Sequence, residues 1–135
     1  MSIKFKPLNN PRVIIIQKIY SQFFNKDAIL VFEKHRFKKF IKFVVNGTLE
    51  RNELIDTEII KYLKEDVNIK KIDKVFEVII KSAIFEFLYR PSTSVKIIIK
   101  EYLNASNFFI NNEQTKYLNA ILDKISKKIR NNEWV

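Results

Sequence analysis

Cysteine is absent from this chain, glycine and histidine each occur once, and proline occurs three times in 135 residues. Without cysteine there can be no disulfide framework, thiolate zinc site or thiol nucleophile, which suits a reducing compartment. The single glycine, Gly47, cannot build a phosphate cradle of the Walker or Rossmann kind. So little glycine and proline also leaves out the repeated turn punctuation of an all-β domain, and helices are favoured. His35 stands between Lys34 and Arg36 with no second histidine at ligand spacing and no triad partner, so it reads as a surface residue. Glu86, Glu101 and Asp123 fall one per expected helix and read as caps, ion pairs or surface groups. No catalytic residue, metal or cofactor is expected, and the chain reads as a binder, not an enzyme. Long apolar runs are missing too. None reaches membrane-spanning length before a charged residue interrupts it, and Met1 to Pro7 carries no signal-type apolar core, so a cytoplasmic protein without membrane contact is expected.

What the chain has instead is apolar residues, 47% of the total, and a formal net charge of +10. A chain of this length and hydrophobicity should fold as one domain, residues 1–135, burying about two-thirds of its unfolded surface. A cationic surface gathers polyanions by releasing their condensed counterions. Over-use of Lys, Ile and Asn also suits an AT-rich coding bias, so composition alone leaves nucleic acid and a merely solvated surface both open.

Periodicity places the helices. Asn10-Pro11 offers an N-cap followed by proline at the first helical position, and Ile15, Ile16, Ile19, Tyr20 and Phe23 then share a face. A second helix is expected from Ala28 to Asn46, with Phe37, Phe40, Ile41, Val44 and Val45 inward and Gly47 as its stop. A third, Asn52 to Lys64, turns Leu54, Ile55, Ile59 and Leu63 inward. From Asp73 to Tyr89 apolar residues go nearly all round the wheel, as in the buried centre of a bundle. Pro91 ends that helix, and Ser92, Thr93 and Ser94 offer a cap for the next, which turns Val95, Ile98, Ile99, Tyr102 and Leu103 inward. Ile14 and Ile97 lie on the polar sides of their helices, either covered by another helix or marking an interface.

The last helix, Glu113 to Arg130, has Leu118, Ile121, Leu122, Ile125 and Ile129 on its core face. Tyr117, Lys124 and Lys128 line one flank, and Lys116, Asn119 and Lys127 point outward. Single-stranded RNA is held by such pairings, bases stacking on rings while cations neutralise phosphates. The alternative is that Tyr117 is a boundary core residue and the lysines complement the helix dipole. Lys34, Arg36, Lys38, Lys39 and Lys42 form a second cluster that reads as a solvated face. Lys4, Lys6 and Arg12 form a third. Trp134 lies in the terminal tail.

In order, Ala83-Ile84-Phe85-Glu86-Phe87, Tyr89-Arg90-Pro91, Lys96-Ile97-Ile98-Ile99-Lys100-Glu101-Tyr102 and Tyr117-Leu118-Asn119-Ala120-Ile121-Leu122-Asp123-Lys124 resemble motifs of the NusB family of bacterial transcription antitermination factors. Those motifs are Ala-(Leu/Ile)-Tyr-Glu-Leu, Arg-Pro, basic-Val-Val-Ile-Asn-Glu-Tyr and Phe-Val-Asn-Gly-Val-Leu-Asp-(Lys/Arg). Upstream, Gln17-Lys18-Ile19-Tyr20 is similar to the family's Gln-Ala-Leu-Tyr. The resemblance implies an all-α fold, a compact bundle of about seven helices built as two small bundles. It implies binding of boxA-type single-stranded RNA of ribosomal RNA leaders together with NusE, a small-subunit ribosomal protein, in an RNA polymerase antitermination complex. It implies RNA contact at Lys116 and Tyr117, which match positions that touch RNA in the family, and at Arg12, which matches the last arginine of its basic N-terminal motif; Lys4 and Lys6 stand as substitutes for the rest of that motif, and the wheel adds Asn119 and Lys124 to the expected RNA-binding set. The chain departs from the family at Leu8-Asn9-Asn10-Pro11, where an arginine run would stand, at Ser92-Thr93-Ser94 and at Ala120. A different reading keeps the fold without RNA, as a protein-interaction module using the edge of the Asp73 helix at Phe76 and Glu77.

Overall fold

A computed structural model describes residues 9–63 and 73–130 of the chain. Among these residues there are six helices and no strands: α1 Pro11–Phe24, α2 Lys38–Glu50, α3 Asn52–Leu63, α4 Lys74–Tyr89, α5 Val95–Ser106 and α6 Asn112–Ile129. The all-α expectation holds, with six helices described where about seven were expected. Lys4, Lys6 and Trp134, and the expected inward side chain of Leu63, lie outside the described residues.

The Asn10 side chain accepts hydrogen bonds from the Arg12 and Val13 amides at 2.9 and 3.3 Å, and Pro11 fills the first turn where no donor is needed. Val13, Ile15, Ile16 and Ile19 are then fully buried. Tyr20, expected inward, sits at the rim with its ring 4.8 Å from Phe24, where its hydroxyl can stay in water.

α2 corrects the sequence reading twice. It begins at Lys38, not Ala28, because Leu30 and Phe32 are half-buried while Ile29, Val31 and Glu33 are exposed. That period of two lays the segment along α1 as extended chain, with Lys18 donating to the Val31 carbonyl and pairing with Glu33 at 3.0 Å. Phe37, expected inward, is the exposed N-cap residue. Gly47 does not end the helix, which runs on to Glu50. A Cβ at Gly47 would stand 2.2 Å from the tip of the Phe85 ring, so this position lacks a side chain to let α4 approach. In α3, Ile55 and Ile59 are buried, but Leu54 is exposed because it lies 100° from Ile55 on the wheel.

α4 is the centre, packing against α1, α2, α3, α5 and α6, with every residue from Val78 to Phe87 buried. A helix surrounded on this scale must satisfy its polar groups internally. Glu86 accepts from Arg12 at 2.7 and 3.0 Å and from Arg90 at 2.9 Å. Lys81 reaches Asn52, Asp56 and Glu77 at 2.8–2.9 Å. At its C-terminal end the Arg130 guanidinium, from the end of α6, donates to the carbonyls of Glu86, Phe87, Arg90 and Thr93. The Glu86 and Arg90 carbonyls also accept from the Arg90 and Thr93 amides, so Arg130 ties the end of α4 and the turn after it to α6, and a cation suits that end of the dipole. Ser94 caps α5, which buries Val95, Ile98, Tyr102 and Ala105. Ile14 is half-buried against the core, whereas Ile97 remains exposed.

Candidate nucleic-acid interface

α6 opens on a reciprocal capping box, the Asn111 side chain accepting from the Gln114 amide at 2.8 Å while Gln114 accepts from the Asn111 amide at 3.1 Å. This locks the first turn, and Tyr117 projects from the turn that follows. Leu118, Ile121, Leu122 and Ile125 are buried, and Ile129 is half-buried. The rotation of the helix is therefore fixed. Tyr117 remains 45% exposed, with its ring stacked on that of Phe76 at 5.7 Å and 28° between planes. Phe76 is itself 3% exposed. A buried ring thus supports an exposed one, which restrains the phenol at little further entropic cost.

Lys124 lies seven residues on, about 10 Å along the same flank, and is half-buried. Lys116 and Asn119 are exposed but turn about 100° and 160° away from Tyr117 on the wheel. The structure thus brings Tyr117 and Lys124 together, sets Lys116 beside them on the outward face, and leaves Asn119 on the far flank. Lys128 is exposed, and Lys127 pairs with Asp123 at 3.0 Å.

Arg12 is placed differently from its expected role. Its guanidinium is buried between the Phe40 and Tyr102 rings, 4.9 and 5.2 Å from their centroids, and forks onto Glu86. Burial alone would lower its pKa, but the fields of Tyr102 and Glu86 outweigh that and raise it. The charge is permanent and directed inward. The Tyr102 hydroxyl beside it is buried and meets no well-formed hydrogen bond among the described residues, and burial, then Glu86, pushes its pKa well above the usual phenol value.

Phe76 and Glu77, the protein contact of the alternative reading, are largely covered. Phe76 is buried beneath Tyr117, and Glu77 is half-buried between Lys74 at 3.4 Å and Lys81 at 2.8 Å. Sequence reasoning gave Phe76 no part in the Tyr117 site, since only the packing of α4 on α6 reveals it. Among the described residues no cluster of His, Cys, Asp and Glu could hold a metal ion, and no helix is long and apolar enough to cross a membrane.

The NusB family model matches residues 9–127. Curated relatives named transcription antitermination protein NusB include that of Mesorhizobium japonicum, 26% identical over 64% of this chain and 56% of the relative. That of Sinorhizobium fredii is 31% identical over 64% and 54%, and that of Rhizobium meliloti 24% identical over 90% and 87%. The chain spans a little over half the length of the first two and most of the third. A solved structure of Thermotoga maritima NusB superposes with a TM-score of 0.76 at 20% identity, covering 93% of this chain and 94% of that one, so the two share a fold. With the family match running from the start of α1 into the last turn of α6, the chain belongs to the NusB family.

Proposed function

We propose that this chain is a non-enzymatic transcription antitermination factor that binds boxA-type single-stranded RNA of ribosomal RNA leaders together with a NusE-type ribosomal protein. In this reading it helps RNA polymerase read through terminators, in the cytoplasm, and acts by binding alone. The observation that carries it is the Tyr117 ring, supported from below by Phe76 and left 45% exposed on a lysine-bearing helix. A base stacks on the ring, Lys116 and Lys124 take phosphates on the outward face, and Lys4 and Lys6 supply further cations from the N-terminal lead. Asn119 contacts the strand only where it curves round α6. Arg12 is left out of the phosphate-binding set and holds α1 to α4 instead.

Titration of a labelled boxA-type RNA, with and without NusE, tests the reading. Tyr117→Ala should weaken RNA binding by about five- to a hundred-fold, the value of one base–ring stack, with helicity and NusE binding intact. Equal RNA affinity in the two proteins would falsify the proposal.

A further inference from the structure

A second aromatic and cationic face lies on the other side of α4. Phe43 and Tyr89 are exposed, 47% and 36%, at either end of a ladder whose middle rung is the buried Phe85. The ring centroids are 5.1 Å apart for Phe43 and Phe85 and 5.0 Å for Phe85 and Tyr89. Gly47 is what lets Phe85 pass between the helices to join them. Arg51 lies over the Tyr89 ring at 4.5 Å, and Lys39 and Lys42 stand on the rim of the same open cleft of about 550 Å³. Glu50, the one acid lining it, pairs with Arg51 at 3.5 Å, so the two lysines keep their charge uncompensated by any ion pair among the described residues.

From this geometry we propose a second binding site for single-stranded RNA, in which a base lies against the open part of the Phe43 ring and Lys39 and Lys42 hold the flanking phosphates. On α2, positions 39, 42, 43 and 46 follow helical spacing and present one face, so the cations, the ring and the Asn46 amide are offered together. Solvation of a helix accounts for the lysines; Phe43 packs against Phe85 and still leaves about half of its ring open among them, where a base can lie. An acidic peptide fits less well. Its carboxylates would seek a guanidinium fork, and that of Arg51 is already stacked on Tyr89 and paired with Glu50. Every base, by contrast, has a face that an open ring can take.

This site does not rest on the α6 reading. Phe85 lies about 180° round α4 from Phe76 and about 14 Å along its axis, so the two faces are separate. Dodecauridylate binding by fluorescence anisotropy tests it, with Phe43→Ala and the Lys39→Ala/Lys42→Ala pair made in both the wild-type and Tyr117→Ala proteins. Phe43→Ala should weaken binding at least about five-fold in the Tyr117→Ala background. The lysine pair should reduce the salt slope by about 1.4. Both substitutions are on exposed side chains, and unchanged far-UV circular dichroism confirms an intact fold. Affinity and salt slope equal to the parent in both variants would overturn the proposal. So would polyglutamate binding that the lysine pair abolishes while dodecauridylate binding stays unchanged, because the face would then serve an acidic protein. If Tyr117→Ala has no effect and Phe43→Ala still weakens binding, the α6 reading fails and this one stands.

Discussion

Replacing Arg12 separates a structural from an RNA-binding role. In Arg12→Met the stem still packs against Phe40 and Tyr102, but Glu86 loses hydrogen bonds of 2.7 and 3.0 Å at a buried position. Breaking a buried pair by removing one partner costs about 3–5 kcal/mol, because a charge is left uncompensated. Here Arg90 keeps its 2.9 Å contact with Glu86, so the loss should fall at the low end, about 3 kcal/mol. Against a total of about 5–15 kcal/mol the variant still folds, and its melting temperature should drop by roughly 10 °C. Urea unfolding followed by circular dichroism reads the loss directly. The double variant Arg12→Met/Glu86→Leu should recover most of it, since replacing both partners by apolar groups leaves nothing unpaired. A loss under about 1 kcal/mol, accompanied by a shallower salt dependence of RNA binding, would refute this reasoning and return Arg12 to the phosphate-binding set.

Two other substitutions test the packing around α4 and α5. Gly47→Ala places a methyl 2.2 Å from the Phe85 ring, an overpacking of about 1–3 kcal/mol against at most about 1 kcal/mol of gained helix propensity. A net loss of about 1–2 kcal/mol in urea is expected, and a stabilised variant would show that the ring yields freely. Tyr102→Phe removes a buried hydroxyl that makes no well-formed hydrogen bond among the described residues and should be neutral or stabilising at pH 7. Above about pH 10 the unfolded wild-type phenol releases a proton that the folded one retains, so wild-type stability falls with rising pH. Tyr102→Phe lacks that contribution, and its advantage should grow by up to about 1.4 kcal/mol per pH unit; parallel stability curves up to pH 11 would contradict the burial of Tyr102.

Features set by local rules were legible in the sequence. The Asn10-Pro11 start of α1 depends on its own first turn, and the inward stripe of α6 follows from a period of 3.6. α4 was recognisable as the centre because its apolar residues leave no polar side to expose. Features decided by distant partners were not legible. Gly47 looks like a stop to any local rule, and only Phe85, brought against it by folding, shows why the helix continues. Arg12 reads as a surface cation until Glu86, 74 residues away, is seen beneath it. The extended course before α2 was not legible, because Ile29, Leu30, Val31 and Phe32 are an unbroken apolar run that suits helix or strand, and their alternation appears only in which of them are covered. For the candidate site, the exposure of Tyr117 followed from the helical wheel, whereas its support by Phe76 required the packing of α4 against α6.

The salt dependence of boxA-type RNA binding tests the central claim most directly. With about four phosphates held by Lys4, Lys6, Lys116 and Lys124, log affinity should fall against log salt with a slope near −2.8, a loss of roughly fifty-fold between 50 and 200 mM. A flat response over that range would mean that these lysines grip no strand and that the cationic face of α6 serves only to keep the helix in water.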